Sequence, residues 1–480
     1  MNNKYIIAID GGTQSTKVAI FDTLGTEVCS HTLLLREIEL GENGRAEHPD
    51  DDLWDSLKLT CNEMFKKFNG DKKDIIGVGL GSIRCCRVLV KENGDLASPM
   101  QSWMDLRLSR PYEHDDDNVK YVTTTTGYLT YRLTGETKDT RSNYVGPWPI
   151  DPMTLEWFED KEKFNEFNTP REMLFDLVDP ASILGKITAK ASVATGIPVG
   201  LPVVSTANDK AVEGLGAGLI NDGTVLVSLG TYITSMMVGE ENNPSAVNYW
   251  SNPGSIKGEW LYESSGIRRG MSTVTWIKDL LGGDIVNEAE KRGMSPEGYL
   301  NVLGADVPAG CNGLYTVLNW LARPDKLHQR GMMIGFNGTH KGQHMFRSIL
   351  EGIAFTMKNY AEAMCDERGI ELSNIIVSGG GSNGELFMQI FADVFGVPAR
   401  RNVVNGSASM GAAICTALAL GVYKDNEEAI EHMVKRRDTF IPIDENVKRY
   451  KEMNENVYKH ISSYTDELLN KSHEIFKKKI

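Results

Sequence analysis

Residues 6–22 read IIAIDGGTQSTKVAIFD, and this stretch decides the fold. Its two apolar runs flank an acid, two glycines, a hydroxyl and an amide, which predicts a strand, a tight turn and a second strand. Gly11 and Gly12 allow the backbone to turn several N–H groups into one concavity, and such concavities bind phosphate oxygens. Asp10, at the end of the first strand, is then placed to meet a metal ion beside that phosphate.

A second stretch repeats this design. Residues 224–238 read TVLVSLGTYITSMMV, with a small turn at Gly230 and Thr231 between two β-rich runs. Either stretch alone is also typical of an ordinary β-hairpin. The recurrence of the unit, once with a strand-end aspartate, favours phosphate binding and predicts two related half-molecules that face each other.

The chain is too long for a single hydrophobic core. Its 480 residues predict two α/β domains, which we place at residues 1–220 and 221–480. The seven cysteines are odd in number, scattered along the chain and without a CxxC pair. They indicate reduced thiols in a cytoplasm, and neither a disulfide framework nor a zinc site.

Charge and hydropathy exclude several classes of partner. A formal net charge of −14 disfavours nucleic acid, because a polyanion is bound by basic surfaces. The chain has no apolar run long enough for a membrane helix, and its start lacks the features of a secretion signal. We therefore expect a cytoplasmic protein with a small-molecule ligand, and we leave a homodimer open.

Three candidate substrate residues lie after a predicted buried strand, one directly behind it and two in a later segment. Residues 75–82, IIGVGLGS, lead to Arg84, and the segment SWMDLR supplies Trp103 and Asp105. Ligands commonly bind at the strand ends of open α/β sheets, so these residues are candidates for substrate contact. A structural Arg–Asp pair with the tryptophan as a wall is the alternative.

Asp209 is the candidate general base. It follows a predicted strand at 203–206 and lies in a polar turn before a small-residue helix. Such a turn would hold an acid partly exposed and fixed in position, as proton abstraction requires. On local sequence alone, a helix N-cap is the stronger alternative.

A glycine-rich turn begins at Gly379. Gly379, Gly381 and Gly384 match the GxGxxG pattern of NAD sites, which makes an NAD-dependent oxidoreductase one alternative. We discount NAD because the motif comes late in the chain and no acid ends a strand some twenty residues on. Such a turn equally seats an adenine or ribose, since missing side chains leave room. No Walker P-loop occurs in the sequence.

Five motifs, taken together and in order, resemble the FGGY family of carbohydrate kinases, of the actin/hexokinase/Hsp70-like superfamily. The motifs are DGGTQSTK at 10–17, ANDK at 207–210, SLGT at 228–231, VSGGGSNGELFMQIFADVFGVP at 377–398 and GSASMGAA at 406–413. The resemblance implies an α/β fold of two actin/hexokinase-like (ribonuclease H-like) domains with a hinge and a cleft between them. It also implies transfer of the γ-phosphate of ATP, with Mg²⁺, to a small sugar or polyol, with a ketopentose or tetritol as the expected substrate.

The resemblance further implies a role for each motif residue. The first domain would carry the sugar-binding side and the base, and the second the nucleotide-binding side. Asp10 would help to hold Mg²⁺, and Asp209 would take the proton from the sugar hydroxyl. The residues implied on the substrate side are Arg84, Trp103, Asp105, Asp209 and Lys210. The residues implied around the nucleotide are Gly11, Gly12, Thr13, Gln14, Gly230, Thr231, Gly270, Gly380, Gly381 and Asn383.

The chain departs from the family pattern in four places. Between Arg107 and Tyr128 the chain is much shorter than its relatives, and the Lys-x-x-Trp part of the N-terminal signature is absent, so either a lid subregion is reduced or residues are missing from the sequence. The pair Arg84-Cys85 replaces the Arg-Glu of glycerol kinases, and the Met-His of xylulose kinases is also absent from that region. Lys210 replaces a neutral residue and would touch an anionic or electron-rich substrate or point to solvent. A nucleotide-binding ATPase or regulator of the same superfamily, without a sugar substrate, is therefore the alternative function.

Overall fold

The predicted first hairpin opens the protein. The computed structural model describes residues 4–230, 232–323 and 325–477. Strands β1 (Tyr5–Gly11) and β2 (Ser15–Asp22) pair antiparallel, with Asp10 opposite Lys17. The N–H of Gly12 closes the turn by donating to the carbonyl of Ser15 at 2.8 Å. The strand, turn and strand predicted from the sequence are therefore confirmed.

The first half of the chain forms a six-stranded sheet with helices around it. Its order is β11-β12-β6-β1-β2-β3, in which β6 lies parallel to both β1 and β12. The further strands of this half are β3 (Glu27–Leu34), β4 (Glu39–Leu40), β5 (Ala46–Glu47), β6 (Ile75–Ser82), β7 (Val88–Val90), β8 (Tyr121–Thr123), β9 (Lys138–Thr140), β10 (Asp176–Val178), β11 (Ile183–Lys186) and β12 (Pro202–Ser205). Its helices are α1 (Asp52–Lys67), α2 (Thr125–Thr134), α3 (Lys161–Asn165), α4 (Ala189–Thr195) and α5 (Asp209–Ala217).

The second half forms a seven-stranded sheet of order β15-β16-β14-β13-β19-β20-β21. Its strands are β13 (Thr224–Leu229), β14 (Ile233–Gly239), β15 (Tyr249–Pro253), β16 (Trp260–Ser264), β17 (Tyr315–Val317), β18 (Met332–Ile334), β19 (Asn374–Ser378), β20 (Ala399–Asn402) and β21 (Arg436–Phe440). Its helices are α6 (Gly270–Leu281), α7 (Gly283–Lys291), α8 (Pro296–Ala305), α9 (Gly342–Arg368), α10 (Glu385–Phe395), α11 (Ser407–Ala419), α12 (Asn426–Met433), α13 (Asp444–Met453) and α14 (Lys459–Lys477).

The two sheets share one topology. In the first, the antiparallel strands β1, β2 and β3 are joined by the parallel strands β6 and β12. In the second, β13, β14 and β16 are antiparallel neighbours, and β19 and β20 continue parallel to β13. The sequence repeat is thus a repeat of structure. The prediction of two related α/β half-molecules is confirmed.

Helices α5 and α11 cross between the two sheets. The buried residues of α11 share a core with Ile6, Ala8 and Phe21 of the first sheet, although α11 follows a strand of the second. Helix α5 packs partly on the second sheet, where Ala211 lies in a core with Leu226. The two crossing helices thus join the two halves. The predicted boundary between residues 220 and 221 falls in the connection from α5 to β13, and it stays a prediction.

The cysteines, the helices and the short segment after Arg107 were also subjects of prediction. All seven cysteines are free thiols, as predicted. None of the helices in the described part is both long and apolar enough to cross a membrane. The short segment after Arg107, which the structure describes throughout, completes a 3-10 turn (Leu106–Ser109) and has no helix or strand from there to β8, which pairs with β7.

Candidate active site

Asp10 and Asp209 lie at the facing ends of β1 and α5. Burial, and then repulsion from the Asp209 carboxylate, raise the pKa of Asp10 from its ordinary 3.8 to about 6. Lys17 lowers the pKa but does not offset these two effects. The structure therefore brings the predicted metal ligand and the predicted base into one site with an excess of negative charge.

Asp209 is the first residue of α5, and it is not the helix cap. Asn208 takes that role, because its side-chain oxygen accepts from the backbone N–H of Ala211 at 3.0 Å. The Asp209 side chain is 31% exposed. Its buried Oδ1 has no hydrogen-bond partner among the described residues. The N-cap alternative is wrong, and the carboxylate is left available for a ligand.

Arg84 projects from the loop after β6 and contacts two carboxylates. Its Nη2 donates to Oε2 of Glu263 at 2.6 Å, and its Nε lies 3.7 Å from Oδ1 of Asp209. Burial alone would lower the pKa of Arg84, but Glu263 and Asp209 more than offset that effect and raise it. Its Nη1 is buried without a hydrogen-bond partner in the described part of the chain. Arg84 therefore faces the site with its Nη1 unused.

Glu263 is the residue of this site that sequence reasoning missed. It lies on β16 in the second sheet and its side chain is 1% exposed. The signal was present, because a lone acid in the apolar run WLYES must find a partner if the strand is buried. The partner itself was not predictable, because it comes from the other half of the chain.

Asp105 and Trp103 are placed differently from Arg84. Asp105 is buried, accepts from the N–H of Ala46 at 2.8 Å and pairs with Arg107 at 2.6 Å. Trp103 is 50% exposed, and its backbone contacts the thiol of Cys86. The alternative of a structural Arg84–Asp105 pair is wrong, since Arg84 instead contacts the carboxylates of Glu263 and Asp209. Substrate contact by Trp103 and Asp105 stays a prediction.

Lys210 is half-buried and held in an ion pair, and its Nζ does not point to solvent. Its Nζ donates to Oε2 of Glu213 at 2.9 Å and to Oγ of Ser228 at 3.0 Å. Oγ of Ser378 donates to the other oxygen of Glu213 at 2.6 Å. Burial would raise the pKa of Glu213, but Lys210 more than offsets it, so the pKa is lowered. This network ties α5 to the ends of β13 and β19 and so fixes the position of Asp209.

The two predicted phosphate turns are built by close packing. A Cβ on Gly11 would lie 2.8 Å from Oγ of Ser82, so glycine lets β1 lie close to β6. Thr13 is half-buried and Gln14 is exposed at the tip of the turn. In the second turn, the carbonyl of Gly230 accepts from the N–H of Met271 at 3.3 Å. Thr231 lies outside the described residues.

The remaining predicted nucleotide residues cluster at the end of β13 and β19. These strands are parallel neighbours, with Ser228 beside Ser378, so the turns that follow them lie side by side. A Cβ on Gly270 would lie 2.2 Å from Ile233, and one on Gly381 would lie 2.8 Å from Leu229. Residues 380–383 form a short turn that includes Gly380 and ends at Asn383, whose Oδ1 accepts from Nδ2 of Asn405 at 2.7 Å.

Gly379 is expected to tolerate no side chain. Its φ of +85° is unfavourable for other residues, and a Cβ would lie 2.4 Å from the carbonyl oxygen of Leu229. Strain of this kind costs about 1–3 kcal/mol before any clash is counted. We expect Gly379→Ala to lower the melting temperature, measured by thermal unfolding. Gly380→Ala is the matched control, because nothing lies within 4 Å of its Cβ. Equal melting temperatures of the two variants would contradict the packing described.

The chain is similar to known carbohydrate kinases. The family model described as "FGGY family of carbohydrate kinases, N-terminal domain" matches residues 5–114, and the model of the C-terminal domain matches residues 225–420. The chain is 50% identical over 475 residues to the uncharacterized sugar kinase YgcE of Escherichia coli strain K12. The alignment covers 99% of this chain and 96% of that protein.

Solved structures agree on the fold. A gluconate kinase from Lactobacillus acidophilus has a TM-score of 0.81 at 19% identity, covering 98% of this chain and 99% of its own. A xylulose kinase from the same organism has a TM-score of 0.80 at 19% identity, covering 96% and 98%. These similarities establish the two-domain actin/hexokinase-like fold. Because the two family models together match more than half of the chain and YgcE is 50% identical over nearly its whole length, the chain belongs to the FGGY family of carbohydrate kinases and is a sugar phosphotransferase.

Proposed function

We propose that the protein transfers the γ-phosphate of Mg-ATP to a hydroxyl of a small sugar or polyol, with ketopentoses and tetritols as the expected substrates. Family membership implies ATP as the donor. The observation that carries the proposal is the placement of Asp209 beside Asp10 and Arg84, with a buried carboxylate oxygen unused in the described structure. A base in this position is within reach of a hydroxyl held against Arg84.

The alternative of an ATPase or regulator without a sugar substrate is less well supported. Both halves of the family model are those of carbohydrate kinases. Arg84 and Asp209 also meet in one site beside the phosphate turns, an arrangement that ATP hydrolysis alone does not require. The fold by itself does not select the sugar, because the chain resembles gluconate and xylulose kinases to a similar degree.

The residues around Asp10 fit a magnesium ion. No cluster of three or more His, Cys, Asp or Glu that would hold a metal on its own occurs in the described residues. Magnesium is usually held by one or two carboxylates together with water and substrate phosphates. Asp10 supplies such a carboxylate, and its raised pKa indicates that no nearby cation fully compensates its charge. When bound, the ion would neutralise charge on the phosphates.

Proton transfer and substrate positioning would be carried out by residues of the chain itself. Asp209 would accept the proton of the attacking hydroxyl, and Arg84 would donate a hydrogen bond to a neighbouring oxygen of the sugar. Phosphoryl transfer depends mainly on such positioning and on electrostatic stabilisation. Closure of the two halves about the α5–α11 crossing would bring the sugar and phosphate sites together and exclude water.

Asp10→Asn is expected to stabilise the ligand-free protein while weakening nucleotide binding. The folded-state pKa of Asp10 lies above the ordinary value, so its ionisation destabilises the fold. The stability advantage of the variant should therefore grow as the pH rises from 3.8 to about 6 and stay constant above that. Thermal unfolding at several pH values, with and without Mg-ADP, measures both effects. A variant that melts below the wild type at pH 7 would contradict the geometry.

A coupled ADP-release assay tests the proposed function. The panel would contain pentuloses, tetritols, glycerol, hexoses and aldonates, each with Mg-ATP. We expect a substrate with turnover in the range of about 1–100 s⁻¹ that is usual for kinases. Failure of every sugar to raise ATP turnover above background would contradict the proposal and favour the nucleotide-binding alternative.

A further inference from the structure

Glu263 contributes a charge to the sugar site from the opposite half of the molecule. It lies on β16, between Trp250 of β15 and Met236 of β14, in the sheet that carries the predicted nucleotide turns. Its carboxylate contacts Arg84, which belongs to the first sheet. A carboxylate that is 1% exposed must be paired, since an unpaired buried charge is strongly destabilising. The pair thus links the two halves at the substrate side of the site.

This contact changes what Arg84 can recognise. A guanidinium is always charged and binds a free carboxylate through two parallel hydrogen bonds. In this protein one edge of the guanidinium is occupied by Glu263, and its Nε faces Asp209. Nη1 is buried without a partner in the described residues. Both two-nitrogen edges of a guanidinium include Nη2, which Glu263 holds. A substrate carboxylate therefore cannot form its two parallel bonds without displacing Glu263, whereas a hydroxyl or carbonyl oxygen needs only Nη1.

The charges around Arg84 also favour a neutral substrate over an acidic one. Four acids, Asp10, Asp209, Glu213 and Glu263, face three bases, Arg84, Lys17 and Lys210, and Lys17 also pairs with Glu27 at 2.9 Å. Lys210 is already neutralised by Glu213 at 2.9 Å. A substrate carboxylate placed beside Arg84 would meet Glu263 and Asp209 at close range. A neutral sugar would meet no such repulsion.

We infer that Glu263 is a specificity-determining residue that makes the sugar site prefer neutral polyhydroxy substrates over sugar acids. The inference rests on the proposed function and adds the charge class of its substrate. Glu263 acts through Arg84, by occupying the edge of the guanidinium that would otherwise bind a substrate carboxylate. Removing its charge while keeping its shape should therefore open the site to sugar acids.

The test uses ligand pairs that differ only at one terminal carbon. Erythritol with erythronate, xylitol with xylonate, and glucitol with gluconate each compare a CH₂OH group with a carboxylate. Affinities are measured by titration calorimetry in the presence of Mg²⁺ and a non-hydrolysable ATP analogue, and turnover is measured by ADP release. The proteins are the wild type, Glu263→Gln and Glu351→Gln. The last is the matched control, because it removes a buried carboxylate that pairs with a different arginine, Arg347, and does not contact Arg84.

We expect the wild type to prefer the neutral member of every pair that binds. In Glu263→Gln the acid-to-neutral affinity ratio should rise at least ~10-fold, because the variant exposes one unit of positive charge at contact distance. In Glu351→Gln that ratio should stay close to the wild-type value. An unchanged ratio in Glu263→Gln, or an equal rise in both variants, would overturn the inference.

The outcomes separate the inference from the proposed function. Equal or tighter binding of the acids by the wild type would overturn the inference without any variant. The inference can therefore be tested even if Glu263→Gln does not fold. Phosphorylation of a sugar acid in preference to its neutral partner would overturn it as well, while leaving the kinase reaction standing. Absence of binding and turnover with all of the compounds would instead contradict the proposed function.

Discussion

Asp209→Asn is expected to reduce sugar phosphorylation by ~10²–10⁴-fold, the usual contribution of a general base. The substitution keeps the shape of the side chain and its reach toward Arg84, but an amide does not take up the hydroxyl proton. The loss should appear in kcat more than in KM, because the proton is transferred only in the chemical step. Steady-state ADP release with the best substrate of the panel measures both constants.

The fold should survive this change, and that expectation is part of the test. The Asp209 carboxylate repels Asp10 and raises its pKa, so neutralising Asp209 relieves repulsion. Arg84 keeps its 2.6 Å contact with Glu263 in the variant. The melting temperature should therefore equal or exceed that of the wild type. Asp222→Asn, which changes an exposed carboxylate after the same helix, is the matched control. Turnover near the wild-type rate in Asp209→Asn would eliminate Asp209 as the base.

Local patterns predicted those parts of the structure that depend on local physics. The hairpins at residues 6–22 and 224–238 follow from short apolar runs around a glycine turn, and both form as predicted. Asp209 was also found from its position after a strand and before a small-residue helix. Whether Asp209 caps the helix was not decided locally, because Asn208 accepts from the N–H of Ala211 instead; its role as a base stays a prediction.

Contacts between residues that are far apart in the sequence could not be predicted. Arg84 and Glu263 are 179 residues apart and belong to different sheets, so no spacing rule connects them. Lys210 was expected at the substrate or in solvent, but Glu213 and Ser228 hold it. The pairing of Glu213 with Ser378 across 165 residues had no signal in the sequence. Such buried ion pairs become visible only when the topology is known.

Helices α5 and α11 are closely packed where they cross. A Cβ on Gly216 would lie 1.8 Å from the carbonyl oxygen of Ser407, and one on Gly411 would lie 2.0 Å from that of Val212. At both positions the obstacle is helix backbone, which does not move aside as a flexible side chain would. Glycine at these two positions therefore allows the helices that join the sheets to touch backbone to backbone.

Gly216→Ala is accordingly expected to destabilise the protein severely. Overpacking usually costs ~1–3 kcal/mol, and separation of two backbones that connect the sheets places this case at or above that range. At roughly 2–4 °C per kcal/mol for domains of this size, the melting temperature should fall by about 5–10 °C. Thermal unfolding of the purified variant measures the change, and substrate turnover should fall with it because the crossing is the hinge of the proposed closure.

Gly214→Ala supplies a control in the same helix with the opposite expected sign. A Cβ there would lie 3.5 Å from Leu261 and 3.6 Å from Leu219, which is ordinary contact. Because alanine is favoured over glycine in a helix by ~0.5–1 kcal/mol, Gly214→Ala should leave the melting temperature unchanged or raise it slightly. Equal losses in both variants would mean that α5 tolerates no added methyl group anywhere. Equal tolerance would mean that the helices separate freely, and the hinge would then have to lie elsewhere.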